Sequence, residues 1–259
     1  MSQAPKILTL DIETAPLNVF CWGLWEQNVG LEMVQEEWTI LSYAARWLGR
    51  KPVIFRHTGG RGAKRVRDDS GLCAQLWRLL DEADIVITQN GKAFDIKKIN
   101  ARLIMHGSRP YSPIRVIDTK IVAKRHFDFT SNRLAWMSKH INKNTKKDEH
   151  KRFPGFELWA ECLKDNPAAW REMRKYNSLD VIATEELYLH MRPWIDGHPN
   201  VSAYTGNTAC PKCGGRDLQK NGVRVTQTGR YQRFRCLSCG GSCHSRQKLE
   251  SWAGRQLAQ

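Results

Sequence analysis

The chain has no apolar run near the 18 or so residues that a membrane-spanning helix requires, so no transmembrane segment is expected. Its first residues, Met1 to Lys6, lead straight into an apolar stretch and contain no apolar core of a secretory signal, which predicts a cytoplasmic chain, bacterial or, if viral, in its host's cytoplasm. Acidic residues are in deficit: 26 against 41 lysines and arginines, a formal net charge of +15. That imbalance points to a polyanionic partner, nucleic acid first among them. Cysteine is sparse over the first four fifths, where Cys21, Cys73 and Cys162 are scattered in apolar or amphipathic segments and are expected to be buried thiols. Five more, Cys210, Cys213, Cys236, Cys239 and Cys243, crowd the last fifth. In a reducing compartment such a cluster reads as a metal site, not a disulfide framework.

At 259 residues the chain can hold one substantial core and a small satellite domain. Strands are expected at Lys6–Ile12, Asn18–Trp22, Ile40–Leu48, Pro52–His57, Asp84–Thr88 and Ile114–Ile117. Gly59-Gly60-Arg61-Gly62 breaks the chain, and Arg61–Arg67 reads as a basic loop. Helices are expected around Leu72–Leu80, at Phe94–His106, Lys120–Arg125, Ser131–Ile141 and Phe156–Leu163, and from Pro167 to Met191. Lys139–Arg152, with six cations against two acids, reads as a loop over a nucleic-acid face or as a solvated linker. The class is therefore mixed α/β. The stretch Pro193–Ala209, rich in Pro, Gly, Asn, Ser and Thr, is the expected junction, giving domains at 1–196 and 210–259 with a linker at 197–209.

Three acidic motifs follow one another along the chain. Asp11-Ile-Glu13-Thr14 ends an apolar run, and in a strand residues i and i+2 project to one face, so both carboxylates converge. Hard oxygen ligands of this kind suit Mg²⁺ or Mn²⁺. Asn90-Gly-Lys-Ala-Phe94-Asp95 places an acid where a turn enters a helix. Tyr176-Asn-Ser-Leu-Asp180 puts a phenol and a carboxylate one turn apart on a helix, with Leu179, Val181 and Ile182 around the acid. Such an acid needs a partner.

In order and spacing these motifs resemble the DEDD exonuclease superfamily, the ribonuclease-H-like fold of proofreading 3′→5′ exonucleases, and the tyrosine marks its DEDDy branch. The resemblance covers about residues 6–192. It implies a mixed sheet flanked by helices and a site holding two Mg²⁺ or Mn²⁺ ions on Asp11, Glu13, Asp95 and Asp180. It further implies that Tyr176 orients the attacking water, that Thr14 contacts the terminal nucleotide and that Asn90 supports the site. The product would be a nucleoside 5′-monophosphate, with DNA the expected substrate, RNA the alternative, and replication or repair proteins the expected associates. Asp118-Thr119 resembles the strand-to-helix step after the second motif and is given a structural role.

Cys210-Pro-Lys-Cys213-Gly-Gly and Cys236-Leu-Ser-Cys239-Gly-Gly are two knuckles of the zinc-ribbon type, whose four thiolates make a closed, structural Zn²⁺ site. Cys243 and His244 are alternative ligands by proximity, though a free thiol and a surface imidazole are the simpler expectation. From Gly206 onward ten cations face two acids. Arg230-Tyr-Gln-Arg233-Phe-Arg235 alternates basic and aromatic groups, a pattern suited to gripping phosphates and stacking bases. Two other readings compete with the exonuclease. One is a transposon- or resolvase-type endonuclease of related fold, against which the ribbon's place after Asp180 and the Tyr-x-x-x-Asp element both count. The other is a non-catalytic nucleic-acid-binding adaptor, against which stands the presence of all four acids and the tyrosine.

Overall fold

The computed structural model describes residues 4–145, 152–206 and 208–249, in two compact units, Lys6–Tyr188 and a smaller one running from Leu189. In the larger unit β1 (Ile7–Thr14) leads into a hairpin of β2 (Asn18–Val19) and β3 (Val34–Glu36), then β4 (Ile40–Trp47) and β5 (Ile54–His57). After these come α1 (Ser70–Glu82), β6 (Ile85–Thr88), α2 (Asp95–Met105), β7 (Arg115–Asp118), α3 (Thr119–His126), α4 (Leu134–Ile141), α5 (Glu157–Leu163) and α6 (Pro167–Met191). The main sheet has the order β5-β4-β1-β6-β7, with β4 and β5 antiparallel and β6 and β7 parallel to their neighbours. This is the mixed sheet flanked by helices that the sequence predicts.

β1 lies at the sheet centre because both of its faces are apolar over its first half. Leu8, Leu10 and Ile12 point to one side, where they join Leu72, Leu76 and Leu80 of α1 and Ile99 and Leu103 of α2. On the other side Leu41 and Ala44 of β4 and Phe55 of β5 meet Leu158 of α5 and Trp170, Met173 and Val181 of α6. Burial of each such Leu, Ile or Phe contributes about 1.5–3 kcal/mol, so the two clusters hold the helical layers on the sheet. The odd residues of β1 face the α6 side, and there the strand turns polar at Asp11 and Glu13.

A buried ion pair braces α1 to α2. Arg102 Nε and Nη2 donate to the two carboxylate oxygens of Asp69, each at 2.8 Å. Asp69 also accepts the Ile40 N–H at 2.9 Å and lies 2.7 Å from His106 Nε2. With both oxygens committed to a bidentate guanidinium, the nearby Asp69, Cys73 and His106 are a structural cluster and not a cation site.

The structure departs from the sequence reading in several places. The strand expected at Asn18–Trp22 stops at Val19, and Phe20, Trp22, Leu24 and Trp25 stand exposed beyond it. This segment, Ala15–Thr39, carries four glutamates and no lysine or arginine, an acidic and apolar excursion from a strongly basic chain. Cys21 sits there and is exposed, unlike buried Cys73 and Cys162. A short 3-10 turn, Ala63–Arg65, interrupts the basic loop. Lys139–Ile141 belongs to α4, so the expected loop begins only at Asn142; its residues 146–151 lie outside the described ones. No helix among the described residues is long and apolar enough to cross a membrane.

The smaller unit contains a 3-10 turn at Arg192–Trp194, α7 (Val201–Thr205) and a three-stranded antiparallel sheet of β8 (Leu218–Thr226), β9 (Gly229–Cys236) and β10 (Ser242–Lys248). The first turn and α7 fall in the stretch read as a junction, and the Val201 N–H donates to Pro211 O at 2.8 Å beside the first knuckle. Residues 250–259, the end of the expected second domain, lie outside the described ones.

Removing the guanidinium should expose the worth of the α1–α2 brace. Arg102→Met leaves the buried Asp69 carboxylate without its main partner and is expected to cost about 3–5 kcal/mol in urea unfolding at pH 7. Burial opposes the charge on Asp69, but Arg102, the Ile40 N–H and His106 outweigh it and hold the carboxyl below its usual range. The stabilisation is therefore complete above the ordinary carboxyl value near about pH 4 and lost as pH falls through the depressed one. Wild-type stability should drop more steeply with acid than that of Arg102→Met; parallel pH profiles would contradict this account.

Candidate functional site

Asp11 and Glu13 leave β1 on the face covered by α6, and Asp180 reaches the same place from that helix. One carboxylate oxygen of each lies within 4.8 Å of the others. Asp180 is buried, and Asp11 and Glu13 are half-buried. At an effective dielectric of 20, two unit charges this close repel by about 3 kcal/mol or more. Carboxylate oxygens this close need a cation or a shared proton among them.

The surrounding residues fix each acid. Asn177, fully buried on α6, donates from Nδ2 to Asp11 Oδ2 at 2.5 Å and to the Asp11 carbonyl at 3.4 Å. Its own carbonyl oxygen accepts the Ser42 hydroxyl from β4 at 3.2 Å. Glu13 Oε2 accepts the indole N–H of Trp159 on α5 at 3.2 Å. The Trp159 ring stands edge-on to Tyr176 at 6.0 Å, with Tyr176 half-buried one turn before Asp180. Sequence reasoning missed Asn177 and Trp159. A signal for Asn177 was present: it sits midway in the buried stripe Met173, Asn177, Val181, where a polar amide must have partners.

Asp95 is placed differently from the other three acids. Pairing of β1 with β6 ends at Thr9 and Ile87, and past that fork the Ile12 N–H donates to Asp95 Oδ1 at 3.0 Å. The carboxyl of Asp95 is buried, which pushes its pKa up against the opposing pull of the Ile12 and Asp95 N–H groups. It thus secures the main chain between Asp11 and Glu13 and does not join the three-carboxylate group. Thr14 is half-buried at the end of β1, where the register with β4 shifts. Asn90 takes a positive φ of 68°, and Gly91 follows because a Cβ there would lie 2.4 Å from the Thr88 side chain. The Asn90 N–H donates to Asp118 Oδ1 at 2.9 Å, and its side-chain oxygen accepts Lys120 Nζ at 3.1 Å. Asp118 also accepts the N–H groups of Lys92, Lys120 and Ile121, so it caps α3 and ties the preceding loop to it.

In the smaller unit Cys210, Cys213, Cys236 and Cys239 converge, with sulfur separations of 3.8 Å (Cys210–Cys239) and 3.6 Å (Cys213–Cys236). Each knuckle has the same backbone. Gly214 and Gly240 have φ of 76° and 77° and donate to the carbonyls of Cys210 and Cys236, both at 2.8 Å. Gly215 and Gly241 accept from the same two cysteines' N–H groups. Cys243 and His244 stand outside the four-sulfur group. Burial raises the Cys210 and Cys213 thiols, whereas hydrogen bonds overcome burial and lower Cys236. On β9, strand alternation puts Arg233 and Arg235 on one face with Tyr231 and puts Arg230 on the other. All three arginines are exposed, and Arg233 Nε donates to Asn221 O at 2.6 Å.

A family model described as the RNase_H superfamily matches residues 8–192. Among solved structures, a family B DNA polymerase from the hyperthermophilic archaeon Pyrobaculum calidifontis is similar in fold, with a TM-score of 0.52 at 12% identity. The match covers 86% of this chain and 31% of the polymerase chain, so this chain spans about a third of that protein's length. No curated protein matches in sequence.

Asn177→Ala should destabilise the larger unit by about 1–3 kcal/mol, because the buried Ser42 hydroxyl loses its acceptor and Asp11 its donor. Trp159→Phe removes the half-buried bond to Glu13 but keeps an aromatic ring against the same core, and should cost less. Thermal unfolding of both variants checks the order, and a larger loss in Trp159→Phe would contradict it.

Proposed function

Because the chain belongs across residues 8–192 to the RNase H superfamily, a superfamily of nucleic-acid hydrolases, we propose that it is a metal-dependent 3′→5′ exonuclease. It would release nucleoside 5′-monophosphates from single-stranded or frayed 3′ ends of DNA. The observation that carries this reading is the convergence of Asp11, Glu13 and Asp180 beside Tyr176. A resolvase-type endonuclease would share the carboxylates but has no need of the tyrosine on the same helix face.

The donor set at this site consists of carboxylate oxygens alone, which fits Mg²⁺ or Mn²⁺. Two such ions would supply an activated water and stabilise charge on the departing 3′-oxygen. The protein's residues provide the positioning. Asn177 keeps one oxygen of Asp11 engaged and so limits its rotation, and Trp159 does the same for Glu13. A phenol, whose free value is about 10, suits orienting a water by a hydrogen bond better than removing its proton, and that is the role Tyr176 would take. Asp95 supports the strand between the two acids through Oδ1, and its second oxygen would be the one offered to a metal.

The four thiols fit a single Zn²⁺, closed and structural, since four soft ligands leave no open coordination position. Arg230, Arg233 and Arg235 on the exposed strand would then meet phosphates of the substrate. Thr14 would lie against the terminal nucleotide. Replication or repair proteins are the partners that such an activity would serve.

Single-stranded, duplex and circular DNA and RNA, labelled at either end, test the assignment in Mg²⁺ or Mn²⁺. A 3′ label should appear at once as mononucleotide, a 5′ label should pass through a ladder, and a closed circle should survive. Asp11→Ala and Asp180→Ala should each lower the rate by at least about 10²-fold with the fold intact. Cleavage of the circle would overturn the exonuclease in favour of an endonuclease. Elemental analysis should find one zinc per chain, lost in Cys213→Ser.

A further inference from the structure

The glycine-rich break Gly59-Gly60-Arg61-Gly62 has a structural purpose away from the carboxylates. Gly60 and Gly62, both with φ of 84°, aim their N–H groups at the two oxygens of Asp165, each at 2.8 Å. Asp165 also accepts the indole N–H of Trp170 at 2.8 Å. A Cβ on Gly59 would lie 2.0 Å from that indole nitrogen, so the loop can close on Trp170 only with glycine there. His57 stacks on Trp170 at 4.6 Å, with the planes 27° apart. His57, Gly60, Asp165 and Trp170 line a cavity of about 560 Å³ together with Arg171 and Arg174 of α6.

The charge balance of this cavity is uneven. Asp165 is its one carboxylate, and both oxygens are occupied by the loop and the indole. Among the described residues no carboxylate lies within ion-pair distance of Arg171 or Arg174, and both are exposed. Arg171 and Arg174, two guanidiniums one turn apart on α6 with no ion-pair partner among those residues, make a receptor for an anion, and a planar fork of donors suits phosphate.

Sheet register fixes where the cavity lies. Glu13 pairs with Ser42, and Ser42 pairs with His57, so all three project to the α6 face at one level of the sheet. Two strand spacings separate Glu13 from His57, roughly 10 Å. At 3.4 Å per nucleotide of a stacked strand, that is about three nucleotides.

We propose that this cavity is a phosphate subsite, in which Arg171 and Arg174 hold a phosphodiester of the substrate strand about three nucleotides from the end being cut. The subsite extends the nuclease reading and rests on it for the identity of the strand. A free nucleotide offers the same phosphate chemistry, so the test separates the two sources.

Binding of a fluorescein-labelled single-stranded 12-mer is measured by anisotropy over a salt series, in an Asp11→Ala background that spares the probe. Arg171→Glu with Arg174→Glu should weaken binding by about tenfold and flatten the salt dependence by one to two charges. Arg78→Glu with Arg115→Glu removes equal charge from exposed sites elsewhere and should change affinity less than twofold. Arg171→Lys with Arg174→Lys should recover part of the loss. Equal losses in the two glutamate doubles would mean general electrostatics and overturn the subsite. Loss of deoxynucleoside monophosphate binding with the 12-mer unaffected would make the cavity a product site and overturn it as well. If the wild type degrades no substrate yet the 12-mer result holds, the exonuclease reading fails and the phosphate subsite stands.

Discussion

Mutual repulsion among Asp11, Glu13 and Asp180 is the constraint that the larger unit is built to withstand. Three carboxylates cannot be assembled on one face of a sheet unless the backbone and helices beneath them are held by other means. The means are visible on every side. Leu8, Leu10 and Ile12 anchor the opposite face of the same strand, Met173 and Val181 seat α6 through apolar contact, and Asn177, Trp159 and Asp95 add directed hydrogen bonds. Asp11 and Glu13 lie in the last four residues of a strand whose first four are buried, so electrostatic strain is carried by a segment with a large hydrophobic attachment.

Charge is also distributed with purpose at a larger scale. The net +15 is not spread evenly, since the Ala15–Thr39 segment is acidic and the α6 face carries a cluster of arginines without ion-pair partners among the described residues. A basic average would serve diffuse attraction to nucleic acid; arginines rimming a hollow at the level of Glu13 serve placement. The Gly59–Gly62 loop, the Asp165 turn and the His57–Trp170 stack form the scaffold of that hollow, which explains why so many special backbone positions meet there.

How far the sequence revealed these features depended on the range of the interaction. Strand alternation sufficed to bring Asp11 and Glu13 together, and helical spacing sufficed for Tyr176 and Asp180. Two Cys-x-x-Cys-Gly-Gly units announced their cluster because each knuckle is a local turn. Asp69 and Arg102 gave no such signal, being 33 residues apart and joined only when α1 and α2 pack together. Asp95 had the right position at a helix start, yet the fork between β1 and β6 offered its carboxylate a main-chain donor that no motif records. The apolar run after Asn18 was legible as hydrophobic but not as exposed, because periodicity does not distinguish a covered strand from a loop that carries its side chains outward.

The matching knuckles of the smaller unit make its geometry modular. Each cysteine pair is positioned by hydrogen bonds that begin and end within six residues, Cys210–Gly215 and Cys236–Gly241. The arm formed by β8 and β9 sits between them, and its turn at Thr226–Gly229 lies at the far end of a nine-residue strand, about 30 Å from base to tip. Lengthening or shortening that arm by matched pairs of residues would leave the sulfur cage unchanged while moving its basic strand nearer or farther. Reach is thus an adjustable dimension of this architecture, set independently of the part that keeps it folded.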